Sequence, residues 1–469
     1  MGTKKILAFA LVALFVISVV SFQPATVKAQ TRTLIVPDQY PTIQDAINNA
    51  SVGDVVFVRS GTYDQNISIS KSITLIGQNS QNTKLTMPQF YTAPVLFTPP
   101  SYAININAND VDISNFTVEN SNIGGVGINS NGNGNQISGM NLDSEQIGIS
   151  LSGSNQYISE NLIANTLTGI QSSGSYNQII GNTISSFSGQ ISLSGSYNLF
   201  AGNQILDNGW TEVVLVEDYS VLYNNIFNKG DIHLENSNWN IIYNNTLSGG
   251  FLGVGQVGVA SSNVIARNII EGTSADGGII MFSGSNNEFY GNLVANNKVG
   301  LALGVTGIGA NENYENNNAF FYNMFINNSG GNAVNRQLID SNSNSFDNGT
   351  VGNYWDDYLT KYPNATEVDN SGVGNTPYLV YGNVTDNYPL MAPFDLSTIS
   401  IQLPTWIKSL PNLQPIPTFP PQTLTISSPT PTSTPSVPEL SWLVIVPLLL
   451  SVFAVAAIFR HRKKPLTLS

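Results

Sequence analysis

Three stretches decide the fold: "SGSYNQIIGN" at 173–182, "SGSYNLFAGN" at 194–203 and "SGSNNEFYGN" at 283–292. Each closes on Asn, and the same closing residue recurs at Asn161, Asn182, Asn203, Asn225, Asn245, Asn268, Asn292 and Asn323. Successive gaps are 21, 21, 22, 20, 23, 24 and 31 residues, and Asn141 stands 20 before Asn161. A period near 22 marks a solenoid. Pieces such as "NQII" and "QISL" are too short for helices and are punctuated by Gly, Ser and Asn. Ankyrin and tetratricopeptide arrays are excluded, and the leucine-rich pattern is absent. The remaining architecture is all-β: a parallel β-helix with one coil per repeat.

In that fold the repeated Asn is expected at a turn. There it tolerates the left-handed backbone region, and its amide stacks on the next coil's to form a hydrogen-bonded ladder. Apolar pairs such as Ile149/Leu151, Ile191/Leu193, Val213/Leu215 and Ile280/Phe282 are expected to point inward. An open solenoid needs its ends covered. "PTIQDAINNA" at 41–50 predicts an N-terminal capping helix, with Pro41 at its first position and Ile43, Ala46, Ile47 and Ala50 on one face.

Outward from the repeats, the ends differ in character. Residues 1–29 combine Lys4 and Lys5, an apolar run from Ile6 to Val20 and "VKA" at 27–29, the pattern of a signal peptide with a mature start at Gln30. Residues 30–402 form the β-helix ectodomain. Residues 403–438, rich in Pro, Ser and Thr, read as an extended stalk. Residues 439–460 hold an apolar run, Leu440 to Phe459, long enough to span a bilayer as a transmembrane helix. A basic tail, 461–469, follows; with Arg460 its charges predict a cytoplasmic C-terminus and an extracellular ectodomain anchored in the cell membrane.

There is no Cys, which excludes disulfides and thiolate metal sites. From Gln30 to Glu439 there are thirty acidic and ten basic residues, a net charge of −20. Nucleic acid is therefore excluded as the expected partner, whereas divalent cations and neutral or basic partners are compatible.

The opening segment 42–79, "TIQDAINNASVGDVVFVRSGTYDQNISISKSITLIGQN", looks like the start of pectate-lyase-like right-handed β-helices. The repeats, followed by "GNYWDDY" (352–358), "GNTPY" (374–378) and "DNYPLMAPF" (386–394), resemble the NosD family over residues 33–395. That resemblance implies a periplasmic-type copper-binding β-helix protein with a domain shared by carbohydrate-binding and sugar-hydrolysing proteins. Copper fits this chain poorly. His233 is the one His outside the signal and tail, and Met87, Met140, Met281, Met324 and Met391 are scattered. The tail, with "VPEL" at 437–440, resembles archaeal surface-protein sorting signals.

The most unusual stretch is "DIHLE" at 231–235. Strand alternation predicts Ile232 and Leu234 inward and Asp231, His233 and Glu235 outward. Trp210 and Glu212 are expected one coil back and Gln256 one coil ahead. Acids beside an aromatic suit a sugar-binding groove and also a Ca2+ ion, and equally suit a solvated acidic face. No catalytic constellation is assigned. Lys229, Arg267 and Lys298, the basic residues of the central coils, form no clustered acid–base set, and Lys229 is the best placed of them as a base. Glu212 with Asp231 or Glu235 would serve an inverting hydrolase. In the closing unit, Asp356, Asp357, Glu367 and Asp369 are the candidate metal ligands, for Ca2+, set against an aromatic closure built by Tyr354, Trp355, Tyr378 and Tyr388. The expected work is surface binding or scaffolding of glycans or other surface proteins. The alternatives are a carbohydrate-active enzyme and copper delivery. No cofactor is expected.

Overall fold

The computed structural model describes residues 31–86, 102–119, 125–143, 146–186, 189–206, 211–305, 315–335 and 343–401, with 404 and 407. Met1–Ile416 cluster as one unit and Pro417–Ser469 as a second, which lies outside the described residues. The expected signal peptide and transmembrane run also lie outside them. Among the described residues no helix is long and apolar enough to cross a membrane.

The chain winds as a right-handed parallel β-helix of three long sheets with 13, 13 and 12 strands. One coil shows the plan. Gln178–Ile180 lies in the first sheet, Thr183–Ser186 in the second and Gln190–Ser196 in the third. The next coil repeats it with Leu199–Ala201, Gln204–Leu206 and Glu212–Asp218, all pairs parallel. Register carries the core upward. Ile179 pairs with Phe200, Ile184 with Ile205 and Ile191 with Val213, and all six are at most 1% exposed. Each such side chain contributes about 1.5–3 kcal/mol by leaving water. The first and second sheets each contribute one inward row and the third sheet two, Ile191–Val213–Ile232 and Leu193–Leu215–Leu234, so the core is a narrow column of stacked Ile, Leu, Val and Phe.

The ladder exists, but its backbone differs from expectation. Asn182 donates its N–H and its Nδ2 to Asn203 Oδ1, at 2.8 and 3.0 Å, and Nδ2 also donates to Ile158 O at 2.9 Å. This pattern runs from Asn161 through Asn323 and on to Asn353. From Asn182 upward each amide is saturated, with two donors used and two lone pairs filled, whereas Asn161 Oδ1 accepts from the Met140 N–H below it. The left-handed residue is the one before the Asn: Gly181 at φ 66°, Gly202 at 63°, Asn244 at 57°, Arg267 at 56° and Tyr322 at 55°. That residue turns the corner and swings the following amide into the interior. Asn141 is not a rung. It pairs with Leu162 in the second sheet, and Met140 occupies the rung, donating its N–H to Asn161 Oδ1.

A second ladder runs up the corner between the third and first sheets, through Asn177, Asn198, Asn240, Asn263, Asn287, Asn318 and Asn344. Ser220 replaces one rung, and the Glu217 carboxylate fills the space, accepting from Asn198 Nδ2 at 2.6 Å.

The helix at 41–50 is present as α1, Ile43–Asn49, packed on Thr33–Val36, Val55–Val58 and Ile67–Ile69. Its N-cap is Thr42, whose Oγ1 accepts from Asp45 N–H at 3.0 Å, so Pro41 precedes the cap rather than opening the helix. At the other end Trp355 is fully buried, stacked on Phe325 at 4.7 Å and Tyr378 at 4.6 Å. Tyr354 is half-buried and Tyr388 is 37% exposed, so the aromatic closure is made chiefly by Trp355 and Tyr378.

Candidate functional site

The third sheet presents its outer face as rows that change character from coil to coil. Between the inward columns the register stacks Asn105, Asn129, Ser150, Gln171, Ser192, Val214, His233 and Gly253. Ile232 and Leu234 are fully buried in the core, as alternation requires, whereas Ile280 and Phe282, expected inward, fall on the outer face because Ile279 and Met281 take the inward places above Leu252 and Val254.

His233 points outward yet is only 3% exposed. The Phe251 ring meets it edge-on at 5.1 Å. Gly253 stands in the coil above, where a Cβ would lie 3.3 Å from His233 Nδ1 and 3.4 Å from Phe282 Cε2. The absent side chain at Gly253 thus leaves the space in which imidazole and phenyl rings close over one another. Glu212 Oε2 lies 3.3 Å from His233 Nε2, and Glu212 Oε1 accepts from Gln190 Nε2 at 2.6 Å. Burial pushes the imidazole below its usual range, against the pull of Glu212 and a hydrogen bond with Gln256. Among the described residues the buried Nδ1 has no hydrogen-bond partner.

Glu212 and Asp231 are register partners, and Asp231 accepts from Phe251 N–H at 2.8 Å. Burial first and Glu212 second raise the Glu235 carboxyl. The structure therefore brings Glu212, Asp231, His233, Glu235 and Gln256 to one place. Trp210 lies outside the described residues. Lys229 holds a left-handed corner at φ 66°, Arg267 donates to Tyr243 Oη at 3.2 Å and Lys298 faces Asp276 at 3.6 Å.

Of the closing-unit acids, Asp356 and Asp357 share the Asn332 amide, and Glu367 and Asp369 are engaged elsewhere. Asp356 accepts from Asn327 N–H and Asn332 Nδ2, Asp357 accepts from Tyr378 Oη and pairs with Lys361, and Glu367 accepts from Gly372 N–H. Asp369 sits in a turn at φ 49°. Among the described residues no group of three or more His, Cys, Asp or Glu is arranged to hold a metal ion. Met140, Met281 and Met324 are core residues.

One feature escaped sequence reading. The corner between the third and first sheets carries Tyr176, Tyr197, Tyr219 and Trp239, all in left-handed backbone. Their rings stack at 4.9, 5.1 and 5.2 Å, within 7° of parallel. Tyr176, Tyr219 and Trp239 are 46, 40 and 51% exposed. The signal was present in "SGSYN", "SGSYN", "EDYS" and "NSNWN": an aromatic at the same offset before each first-sheet strand. The rail follows the ends of the third-sheet strands, directly after Ser175, Ser196, Asp218 and Asn238 in the chain, and Glu212 and His233 stand six to seven residues earlier.

The sequence matches no family profile and no curated protein. Solved structures share the fold. The Dettilon tailspike protein aligns with TM-score 0.51 at 13% identity, over 67% of this chain and 70% of that one. The mannuronan C-5 epimerase A-module from Azotobacter vinelandii gives 0.44 at 12% identity, over 66% and 93%. ORF18 of Geobacillus virus E2 gives 0.41 at 16% identity, over 54% of this chain and 57% of that protein's length. At these identities the likeness to the tailspike shows the parallel β-helix and nothing finer.

Proposed function

We propose that this chain is an exported, membrane-tethered β-helix module, with the closing motifs of NosD-type proteins, that binds glycans along the outer face of its third sheet. The observation that carries the reading is the ring file Tyr176–Tyr197–Tyr219–Trp239, with the partly exposed polar residues Ser175, Ser196, Asp218 and Asn238 immediately before the rings in the chain. Exposed aromatic carbon next to hydrogen-bonding groups is the surface a sugar needs, because a pyranose has apolar C–H faces and a hydroxyl rim. Export and tethering rest on the n-region, the stalk, the apolar run and the basic tail.

A glycan array probed with the purified chain tests this. Binding should fall in Tyr197→Ala and Tyr219→Ala and persist in Leu162→Ala, which changes an exposed side chain on the second sheet. An array without binders, or loss in Leu162→Ala alone, overturns it.

A carbohydrate-active enzyme is the second reading, favoured by the Glu212–His233 contact and the raised Glu235 carboxyl. It predicts turnover of a polysaccharide that Glu212→Gln abolishes.

A further inference from the structure

A file of four stacked rings has two free faces, one at each end. The middle rings offer only their edges. The upper end is Trp239, the most exposed of the three exposed rings at 51%, with one face on Tyr219 at 5.2 Å. In the next coil the same corner position is Ser262, and beyond it Asn286 and Asn317, each with positive φ. The backbone continuity is direct: Tyr219 N–H donates to Asn238 O, Trp239 N–H to Ser261 O, Ser262 N–H to Ser285 O and Asn286 N–H to Asn316 O. So the ring file stops because the side chain shrinks, not because the corner ends. Ser262 leaves a ring-sized slot over the indole, about one coil spacing (~4.8 Å) high.

We propose that this slot is a stacking subsite for a neutral hexopyranose, seated on the free face of Trp239 where a fifth ring would stand. The proposal rests on the glycan-binding reading above and names its subsite and sugar class. The indole face carries the negative side of the ring quadrupole and attracts the slightly positive axial C–H groups of a pyranose. Ser262 places a hydroxyl at the slot, and Asn286, one coil above Ser262, offers an exposed amide over it for the sugar's rim. Charge selects among sugars. Asp218 lies one coil below, its Oδ1 accepting from Asn238 N–H at 2.6 Å and Nδ2 at 3.2 Å, next to Trp239 in the chain. Glu235 is four residues before the ring, and the ectodomain is strongly acidic. A uronate would meet like charge, whereas a neutral hexose would not.

The test uses the full chain, titrated separately with neutral hexose oligosaccharides and with oligouronates of equal length. Neutral oligosaccharides should bind, oligouronates should bind at least tenfold more weakly, and Trp239→Ala should weaken neutral binding about tenfold. Ser262→Tyr supplies the decisive second variant. Tyr already occupies this corner at three lower coils, so the variant folds, extends the file and closes the slot, with a loss as large as in Trp239→Ala. Neutral binding untouched by both variants overturns the subsite while glycan binding stands. Oligouronates binding as tightly as neutral sugars overturns the sugar class alone. No binding of either overturns the glycan reading together with the subsite.

Discussion

Asn353 donates its backbone N–H to Asp386 Oδ2 at 2.7 Å, and this bond ends the file of amides that begins at Asn161. Every rung of the ladder donates upward, so the last rung needs a pure acceptor. A carboxylate supplies it, and the same oxygen receives Trp355 Nε1–H at 2.9 Å while Oδ1 receives Tyr388 N–H at 3.0 Å. The "DNYP" motif is therefore the top of the ladder as well as the end of the solenoid.

Asp386→Asn should destabilise the fold by about 1–3 kcal/mol, because an amide replaces one acceptor oxygen by a donor that faces an N–H. Urea unfolding at pH 7 measures it. An unchanged midpoint would show that the ladder does not need two acceptor oxygens at its end.

Asn203→Ala should cost more than any outer-face acid. Asn203 Oδ1 accepts from Asn182 N–H and Nδ2, and its own Nδ2 donates to Ile179 O and to Asn225 Oδ1. Truncation leaves buried partners unpaired, at about 1–3 kcal/mol. Glu235→Gln, on the outer face, should lie within about 0.5 kcal/mol of the parent. Denaturant unfolding of the two variants compares them, and the reverse ranking would displace the ladder from its structural role.

Stability should fall as pH rises from about 4 to 7. Burial holds the Glu217 carboxyl at about 7 and Asp386 at about 6, above the ordinary 4.5 and 3.8. The folded chain therefore binds more protons than the unfolded one in that window, and the unfolding free energy drops through it. Glu217→Gln should flatten the portion up to about 7 and stabilise the protein at pH 8, since its amide oxygen still accepts from Asn198 while the buried charge and its cost are gone. An undiminished slope in that variant would place the titration elsewhere.

The architecture was legible because period and alternation are written residue by residue. A gap of 21 fixes which Ile meets which, and the Asn at its end marks the corner. The left-handed residue was misplaced by one because Asn and its predecessor are both plausible there, and only the hydrogen bonds show which amide turns inward. His233 was read as solvated because alternation gives a side chain's direction, not what covers it. Phe251 meets the imidazole edge-on, and Gly253 makes room for it. The aromatic rail is written as a Tyr or Trp six residues before the closing Asn of four coils, and only the left-handed corner backbone brings those rings face to face.

Export and metal content have direct readouts. Mass spectrometry of the native protein should give Gln30 as its N-terminus, in a membrane fraction, and a full-length soluble cytoplasmic form would oppose the tether. Dialysed protein should carry no stoichiometric copper by elemental analysis, because His233 is buried against Glu212 and Met140, Met281 and Met324 lie in the core. One tightly held copper per chain, lost in His233→Ala, would reverse that expectation.

The most direct measurement of the central claim is hydroxyl-radical footprinting of the chain with and without a bound neutral oligosaccharide. The account predicts protection at Tyr176, Tyr197, Tyr219 and above all Trp239, with Leu162 on the second sheet unchanged. Protection confined to the second sheet, or equal reactivity of the four rings with and without the sugar, would contradict it.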